Sequence, residues 1–392
     1  MHTPIPAQGN GRRLVTLQPQ LLAAWEHLIS AGCDSGSYTQ GPPITRLEAH
    51  FEQAWSPPET RFHAVLVNSG TSALIGALTA LGIGPGHSVI VPALTFLSSA
   101  QAVNAVGATP VFFDSGPQGA ALAVDEIADY YAARPDAAAH VRALLLAHPC
   151  GALPDPGVYA RLRALCTHHG WYLLEDASQA HGATLDGRYA GTLGTIAAFS
   201  MGGIKNIGAA GDAGLILCRS AQHADTLRCW RDLGRHAGDR YTHHTPGVRA
   251  RLSQFDAVTL AIQLPYLSAW WEARQVLAER YHAAFAALPI APPIVPPRTR
   301  HSWYKYRVLC ATDTDRARLE ASLVAANIET ERYYPRILPD QPIYRDGLLP
   351  CLLTSDYPRA RRYAACSTCL PIYPELTPDE QARVIAAVRA AF

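Results

Sequence analysis

The chain has 392 residues, a formal net charge of +1 and an apolar fraction of 48%. That length accommodates one large domain and a smaller one, and the near balance of charge excludes the basic footprint of a nucleic-acid binder. No apolar run is long enough to span a membrane, and the opening MHTPIPAQGNGRRL lacks an apolar signal core, so export is not expected.

Residues 60–220 alternate short apolar runs with helical patterns, which predicts a mainly parallel sheet covered by helices. Strands are expected at AVLV (64–67), SVIVPA (88–93), PVFFD (110–114), RALLLAH (142–148), WYLLED (171–176), IAAFS (196–200) and AGLILC (213–218). Helices fill 71–81, 97–106, 156–169 and 221–233, and LGIGPGH (81–87) is a glycine-proline break. One longer helical stretch is expected over 254–288, with tryptophans and leucines at helical spacing. APPIVPPRTR (291–300) is proline-rich and reads as extended. YKYRVLCA (304–311) reads as a strand, followed by a helix near 313–326. The final helix opens on Thr377, with Glu380 completing a capping box. The expected division is a large domain over residues 1–254, carrying a seven-stranded sheet, and a smaller α+β domain over 255–392.

The nine cysteines are Cys33, Cys150, Cys166, Cys218, Cys229, Cys310, Cys351, Cys366 and Cys369. An odd, scattered set predicts reduced thiols in a cytoplasmic protein. Cys366-Ser-Thr-Cys369 has no second ligand pair at a metal-site spacing and reads as packing, and no metal is expected.

Three strands end in polar residues, and in open α/β sheets ligands bind outside the carboxyl ends of strands. In VNSGTSAL (67–74), Gly70 permits close backbone approach, and a helix N-terminus with two hydroxyls suits a phosphate; an ordinary N-cap has the same sequence. In LLEDASQAHGA (173–183), Asp176 ends a strand with Gln179 and His181 beyond it; a capping carboxylate and a hydrogen-bonded loop histidine are the commoner uses. In FSMGGIKNIGAAGDAG (199–214), Ser200 closes a strand and Lys205 follows five residues later among glycines. A flexible loop accounts for the glycines but not for the serine, the lysine and the return to an apolar strand. Lysine is otherwise almost absent: Lys205 and Lys305 are the only two. A phosphate cradle, a carboxylate and an amine together suit pyridoxal phosphate, whose aldehyde forms a Schiff base with lysine and whose ring nitrogen pairs with a carboxylate.

With these pieces the chain resembles the DegT/DnrJ/EryC1/StrS sugar aminotransferases, within the fold type I pyridoxal phosphate enzymes. The markers are GSYTQGPPITRLEAHF (36–51), NSGTSAL (68–74), VIVPALTF (89–96), GATPVFFD (107–114), EDASQAHGA (175–183), the serine-to-lysine spacing of 200–205, GDAG (211–214) and LPIYPELT (370–377). GDAG and the following RDLGRHAGDRY resemble most the members acting at C3 of nucleotide-linked 3-keto-hexoses. The resemblance implies a fold type I α/β transferase that moves an amino group from L-glutamate to a keto sugar, in secondary-metabolite, antibiotic or surface-sugar biosynthesis. It implies a homodimer with active sites shared between subunits.

Residue by residue, it implies that Lys205 is the Schiff-base lysine and Asp176 the pyridinium partner, with Gln179 near the phenolic oxygen. Thr71, Ser72 and Ser200 would hold the phosphate, with Gly70 letting the backbone approach it. Phe96 would stack on the ring, or else be a core aromatic. His181 would support the site without doing chemistry. The family's asparagine, which reaches the phosphate in the neighbouring subunit, is Arg249 here. The family's histidines near two proline motifs appear as Tyr333 and Pro339, and bulkier residues usually stand at Met201-Gly202-Gly203-Ile204. These departures keep open a cyclitol or other non-sugar ketone as acceptor. A pyridoxamine-dependent sugar dehydratase on the same scaffold lacks the lysine, and a non-catalytic binding protein would not need the full set.

Overall fold

A computed structural model describes residues 3–32, 38–116, 119, 122–239 and 241–392. Cys33, the Gly36-Ser37 start of the first family marker and Arg240 of RDLGRHAGDRY lie outside the described residues.

The seven expected strands form within a residue or two of their expected limits: β1 (His63–Val67), β2 (Ser88–Pro92), β3 (Thr109–Phe113), β4 (Val141–Ala147), β5 (Tyr172–Asp176), β6 (Ile196–Ser200) and β7 (Gly214–Cys218). An eighth, β8 (Leu352–Leu353), adds to the edge, giving the order β1-β7-β6-β5-β4-β2-β3-β8. Two exposed residues carry no alternation for a sequence pattern to detect, so β8 was not expected. Pairing is parallel from β8 through to β6, while β7 is antiparallel to both of its neighbours. β1 and β6 flank β7 and therefore run in the same direction. The carboxyl ends of β1, β5 and β6 thus share one edge, and the three polar strand ends of the sequence meet there.

Helices cover both faces of the sheet, which is why the parallel strands read as unbroken apolar runs. Ile44, Phe51 and Trp55 of helix Pro42–Trp55 pack on one face with Tyr159 and Leu162 of helix Pro156–His169. Leu74, Leu78, Val103 and Leu227, from helices 70–80, 97–105 and 221–230, pack on the other. A separate core lies between a three-stranded sheet (290–291, 306–310, 367–370) and helices Leu267–Phe285, Asp313–Ala325 and Pro378–Ala390. The capping box at Thr377 and Glu380 forms as expected.

The single helix expected over 254–288 is two, Gln254–Gln263 and Leu267–Phe285, joined by a 3-10 turn at Leu264–Tyr266. Pro265 lies in that turn; it has no N–H for an α-helical bond, and its ring crowds the preceding turn. Ala257 and Leu260 of the first segment join the core of helix Pro42–Trp55.

The start of the chain is tied to its end. Ile5 N donates to Asn327 O (3.0 Å) and Ile5 O accepts from Glu329 N (2.9 Å). Arg12, on helix Asn10–Gly32, pairs with Glu380 at 2.6 Å, and Arg383 donates to Thr3 O at 3.0 Å. Among the described residues no helix is long and apolar enough to cross a membrane.

Candidate active site

The shared strand edge opens into a cavity of ≈ 430 Å³. Its floor begins with the turn after β1. Ser69 caps helix Gly70–Ala80: its Oγ accepts from Ser72 N (3.0 Å) and lies 3.0 Å from Ser72 Oγ. Gly70 is required by contact. A Cβ there would stand 2.6 Å from Ser200 Cβ and 2.8 Å from Ser200 Cα. Thr71 faces the cavity with Oγ1 2.8 Å from Ser98 Oγ, and Ser200 closes β6 alongside. Ser72, expected on the phosphate, is turned back into the Ser69 cap and is not on the cavity wall.

Asp176 ends β5, 7% exposed. Ser99 Oγ donates to its Oδ2 at 2.7 Å, and Ser178 N approaches Oδ1 at 3.3 Å. Thr95 Oγ1 lies 3.1 Å from Ser99 Oγ, so a short hydroxyl chain from the turn after β2 fixes the carboxylate. Its neighbour Glu175 points the other way. It accepts from Gly191, Leu193 and Gly194 N–H groups (2.7–2.8 Å) and lies 3.0 Å from His148 Nε2. His148 lines the cavity, and its Nδ1 is buried without a partner. Gln179 spans two segments: Oε1 accepts from Cys150 N and Nε2 donates to Tyr334 OH, both at 2.6 Å.

Lys205 enters from the glycine loop after β6. The loop is held from outside by helix Asn10–Gly32: the Arg13 guanidinium donates to Asn206 O (2.6 Å) and Lys205 O (3.0 Å), and Asn10 Nδ2 donates to Gly203 O. Arg13 is itself buried and lies over the Trp270 ring. At Gly208 a Cβ would meet Gly202 O at 2.7 Å, so the loop folds onto itself. Gly208 therefore serves close approach rather than looseness.

Burial lowers the Lys205 pKa to about 8; Asp176 opposes this fall and Lys305 adds to it. His181 is lowered to about 3, by burial first, and stays neutral, packed against Phe199. A lowered lysine pKa means that the neutral amine accumulates as pH rises through about 8. In cofactor-free protein, labelling of Lys205 by an amine-selective reagent should therefore rise through about pH 8, as read by peptide mass spectrometry. A half-point near ~10.4, the value of a free lysine, would contradict it.

Phe96 is 54% exposed at the cavity mouth, which rules out its reading as a core aromatic. Its ring lies 5.8 Å from that of Tyr334. Tyr333 and Tyr334 complete the wall. Arg249 is exposed, on a segment whose backbone bridges Asp232, and does not line the cavity.

Sequence reasoning missed Ser99, His148, Tyr334 and Arg13. Two adjacent serines opening the helix after Thr95-Phe96 were a signal for Ser99; nothing local announced Arg13.

The residues fit pyridoxal phosphate. A helix N-terminus with facing hydroxyls suits the phosphate, a fixed buried carboxylate suits the ring nitrogen, and a low-pKa amine suits the aldehyde; all line one cavity.

Comparison with known proteins agrees. The sequence profile of the DegT/DnrJ/EryC1/StrS aminotransferase family matches residues 24–389. A dTDP-3-amino-3,4,6-trideoxy-alpha-D-glucose transaminase from Streptomyces venezuelae is 37% identical, over 94% of this chain and 92% of its own. A UDP-N-acetyl-3-dehydro-alpha-D-glucosamine 3-aminotransferase from Acidithiobacillus ferrooxidans is 33% identical, over 83% and 84%. The crystal structure of S. venezuelae DesV with a ketimine intermediate superposes with a TM-score of 0.87 at 35% identity, covering 99% of this chain and 98% of that one. A DegT/DnrJ/EryC1/StrS aminotransferase from Brucella abortus superposes with a TM-score of 0.88 at 28% identity, covering 100% and 99%.

Proposed function

Because this chain belongs to the DegT/DnrJ/EryC1/StrS aminotransferase family, we propose that it moves the amino group of L-glutamate to a nucleotide-linked 3-keto-hexose. It is a pyridoxal phosphate-dependent aminotransferase acting on keto sugars. Both curated relatives described above carry C3 amino chemistry in their names, which supports the 3-keto position. The observation that carries the reading is the convergence of Lys205 and Asp176 on one cavity beside the Gly70 cradle.

When bound, pyridoxal phosphate supplies an aldehyde that takes up the amino group and a ring that draws electrons. The N-terminus of helix Gly70–Ala80, with Thr71, Ser98 and Ser200, would hold the phosphate. Asp176, held by Ser99, would pair with the ring nitrogen and keep it protonated. Phe96 would stack on the ring, and Gln179, oriented by Cys150 N and Tyr334, would serve its phenolic oxygen. The Lys205 amine would anchor the aldehyde and, when free, would serve as the base that takes the proton from the donor's α-carbon and as the acid that returns it. With a pKa of about 8 it passes between base and acid near neutral pH. The acceptor runs the same proton transfers in reverse, so ping-pong kinetics follow.

The deciding assay supplies the purified enzyme with L-glutamate and a panel of nucleotide-linked 3-keto- and 4-ketohexoses and inososes. Release of 2-oxoglutarate with the 3-keto sugars is expected. Turnover confined to inososes would replace the sugar by a cyclitol, and no turnover with any ketone would overturn the reading.

We further infer a homodimer in which Arg249 serves the neighbouring subunit's site. It is exposed and clear of its own cavity, as that role requires. Arg249→Ala should raise the dissociation constant for cofactor or acceptor about tenfold, roughly one charge-assisted phosphate contact. Unchanged affinity for both would remove Arg249 from the site. The eight described cysteines are free thiols, which supports a cytoplasmic enzyme.

A further inference from the structure

Lysine occurs twice in this chain, and the fold brings both copies to one aromatic ring. Lys205 Nζ lies 4.9 Å from the centroid of Tyr304, and Lys305 Nζ lies 5.1 Å from the same centroid. Lys305 Nζ is also 5.0 Å from the Tyr333 ring, and it forms an ion pair with Glu331. The Tyr304 and Tyr333 hydroxyls are 3.0 Å apart, and Tyr333 lines the cavity. Lys305 is 2% exposed. Its backbone N donates to Cys150 O (3.2 Å), the residue whose own N–H fixes Gln179. A buried ammonium needs a partner, and Glu331 meets that need. Packing alone does not require a second ammonium on the ring that faces the reactive one.

We propose that Lys305 is a positioning residue for the transamination site: its charge, fixed by Glu331 and two tyrosine faces, sets the electrostatic environment in which Lys205 gains and loses its proton. The inference rests on the reading of Lys205 as the cofactor-bearing lysine. Two ammonium groups at most about 10 Å apart across one ring repel, and the interior between them screens weakly. The other charged or titratable groups facing this pair are Asp176, His181 and Arg13 around Lys205, and Glu331, Cys150 and Cys369 around Lys305. Asp176 favours the charged form of Lys205, and Lys305 opposes it, so the two set the proton affinity between them. Lys305 also packs against both rings of the Tyr304–Tyr333 hydroxyl pair, of which Tyr333 lines the cavity.

The test is a pH titration of the visible absorbance of the bound cofactor in intact holoenzyme, for wild type, Lys305→Gln and Lys305→Arg. Removing a positive charge favours the protonated nitrogen, so Lys305→Gln should raise the midpoint by about one pH unit. Lys305→Arg keeps the charge and should titrate within a few tenths of a unit of wild type. If Lys305→Gln does not fold because Glu331 is left unpaired, the double variant Lys305→Gln/Glu331→Gln replaces it. A smaller rise is then expected, since both charges of the pair are gone. A neutral variant titrating at the wild-type midpoint, even with lowered thermal stability, makes Lys305 purely structural and overturns the proposal. A wild-type holoenzyme with no lysine-linked absorbance at any pH would overturn the site reading itself, which is a distinguishable failure.

Discussion

Lys205→Ala is expected to lower turnover by about 10⁴-fold or more, because in the proposed mechanism one side chain supplies both the covalent anchor and the proton shuttle. The variant should fold. The contacts that fix the loop are to backbone: Arg13 holds Lys205 O and Asn206 O, and Asn10 holds Gly203 O, all indifferent to the side chain. Losing a partly desolvated ammonium removes a cost from the folded state and only one ring contact with Tyr304. Circular dichroism and thermal unfolding should therefore match wild type, while the visible absorbance of the lysine-linked cofactor disappears. A variant that keeps both turnover and that absorbance would remove Lys205 from the chemistry.

Asp176→Asn is expected to cost roughly 10²–10³-fold in turnover, the scale of deleting one fixed electrostatic partner from a water-poor site. Asparagine has the same shape, and its carbonyl oxygen can still accept from Ser99 Oγ, so the strand end and its hydroxyl chain survive. What is lost is the charge that, in the proposed mechanism, would keep the ring nitrogen protonated. The glutamate half-reaction, followed alone by stopped flow, should slow as much as full turnover does. Wild-type rates in both would show that the carboxylate only caps the turn.

The sheet was legible because buried parallel strands are continuous apolar runs ended by polar residues, and β5 and β6 stop where the sequence stops being apolar, at Asp176 and Ser200. Three of the site's parts could be read from those ends. The helices before the sheet were harder. Leu17, Leu21 and Leu28 of helix Asn10–Gly32 are buried, but Pro19 interrupts the segment and reads as a breaker. Ile44, Leu47, Phe51 and Trp55 are spaced as one helical face and could have been recognised. Ser99, Tyr334 and Arg13 reach the site from about 77, 158 and 163 residues away from Asp176 in sequence; long-range packing of that kind leaves no local periodicity. The position of Arg249 also could not be read, since the role proposed for it lies at a second subunit's site.

The joining of the two ends of the chain has a consequence for how the enzyme is made. Residues 3–13 leave the ribosome well ahead of their partners Asn327, Glu329, Glu380 and Arg383, which lie more than about 300 residues later in the sequence. The helix that grips the lysine loop through Arg13 must wait, half-anchored, until those partners have been made. The strands of the large sheet can form earlier, but a nascent chain stopped before residue 380 should hold its Lys205 loop loosely, which delays competence for cofactor capture until that segment has been synthesised.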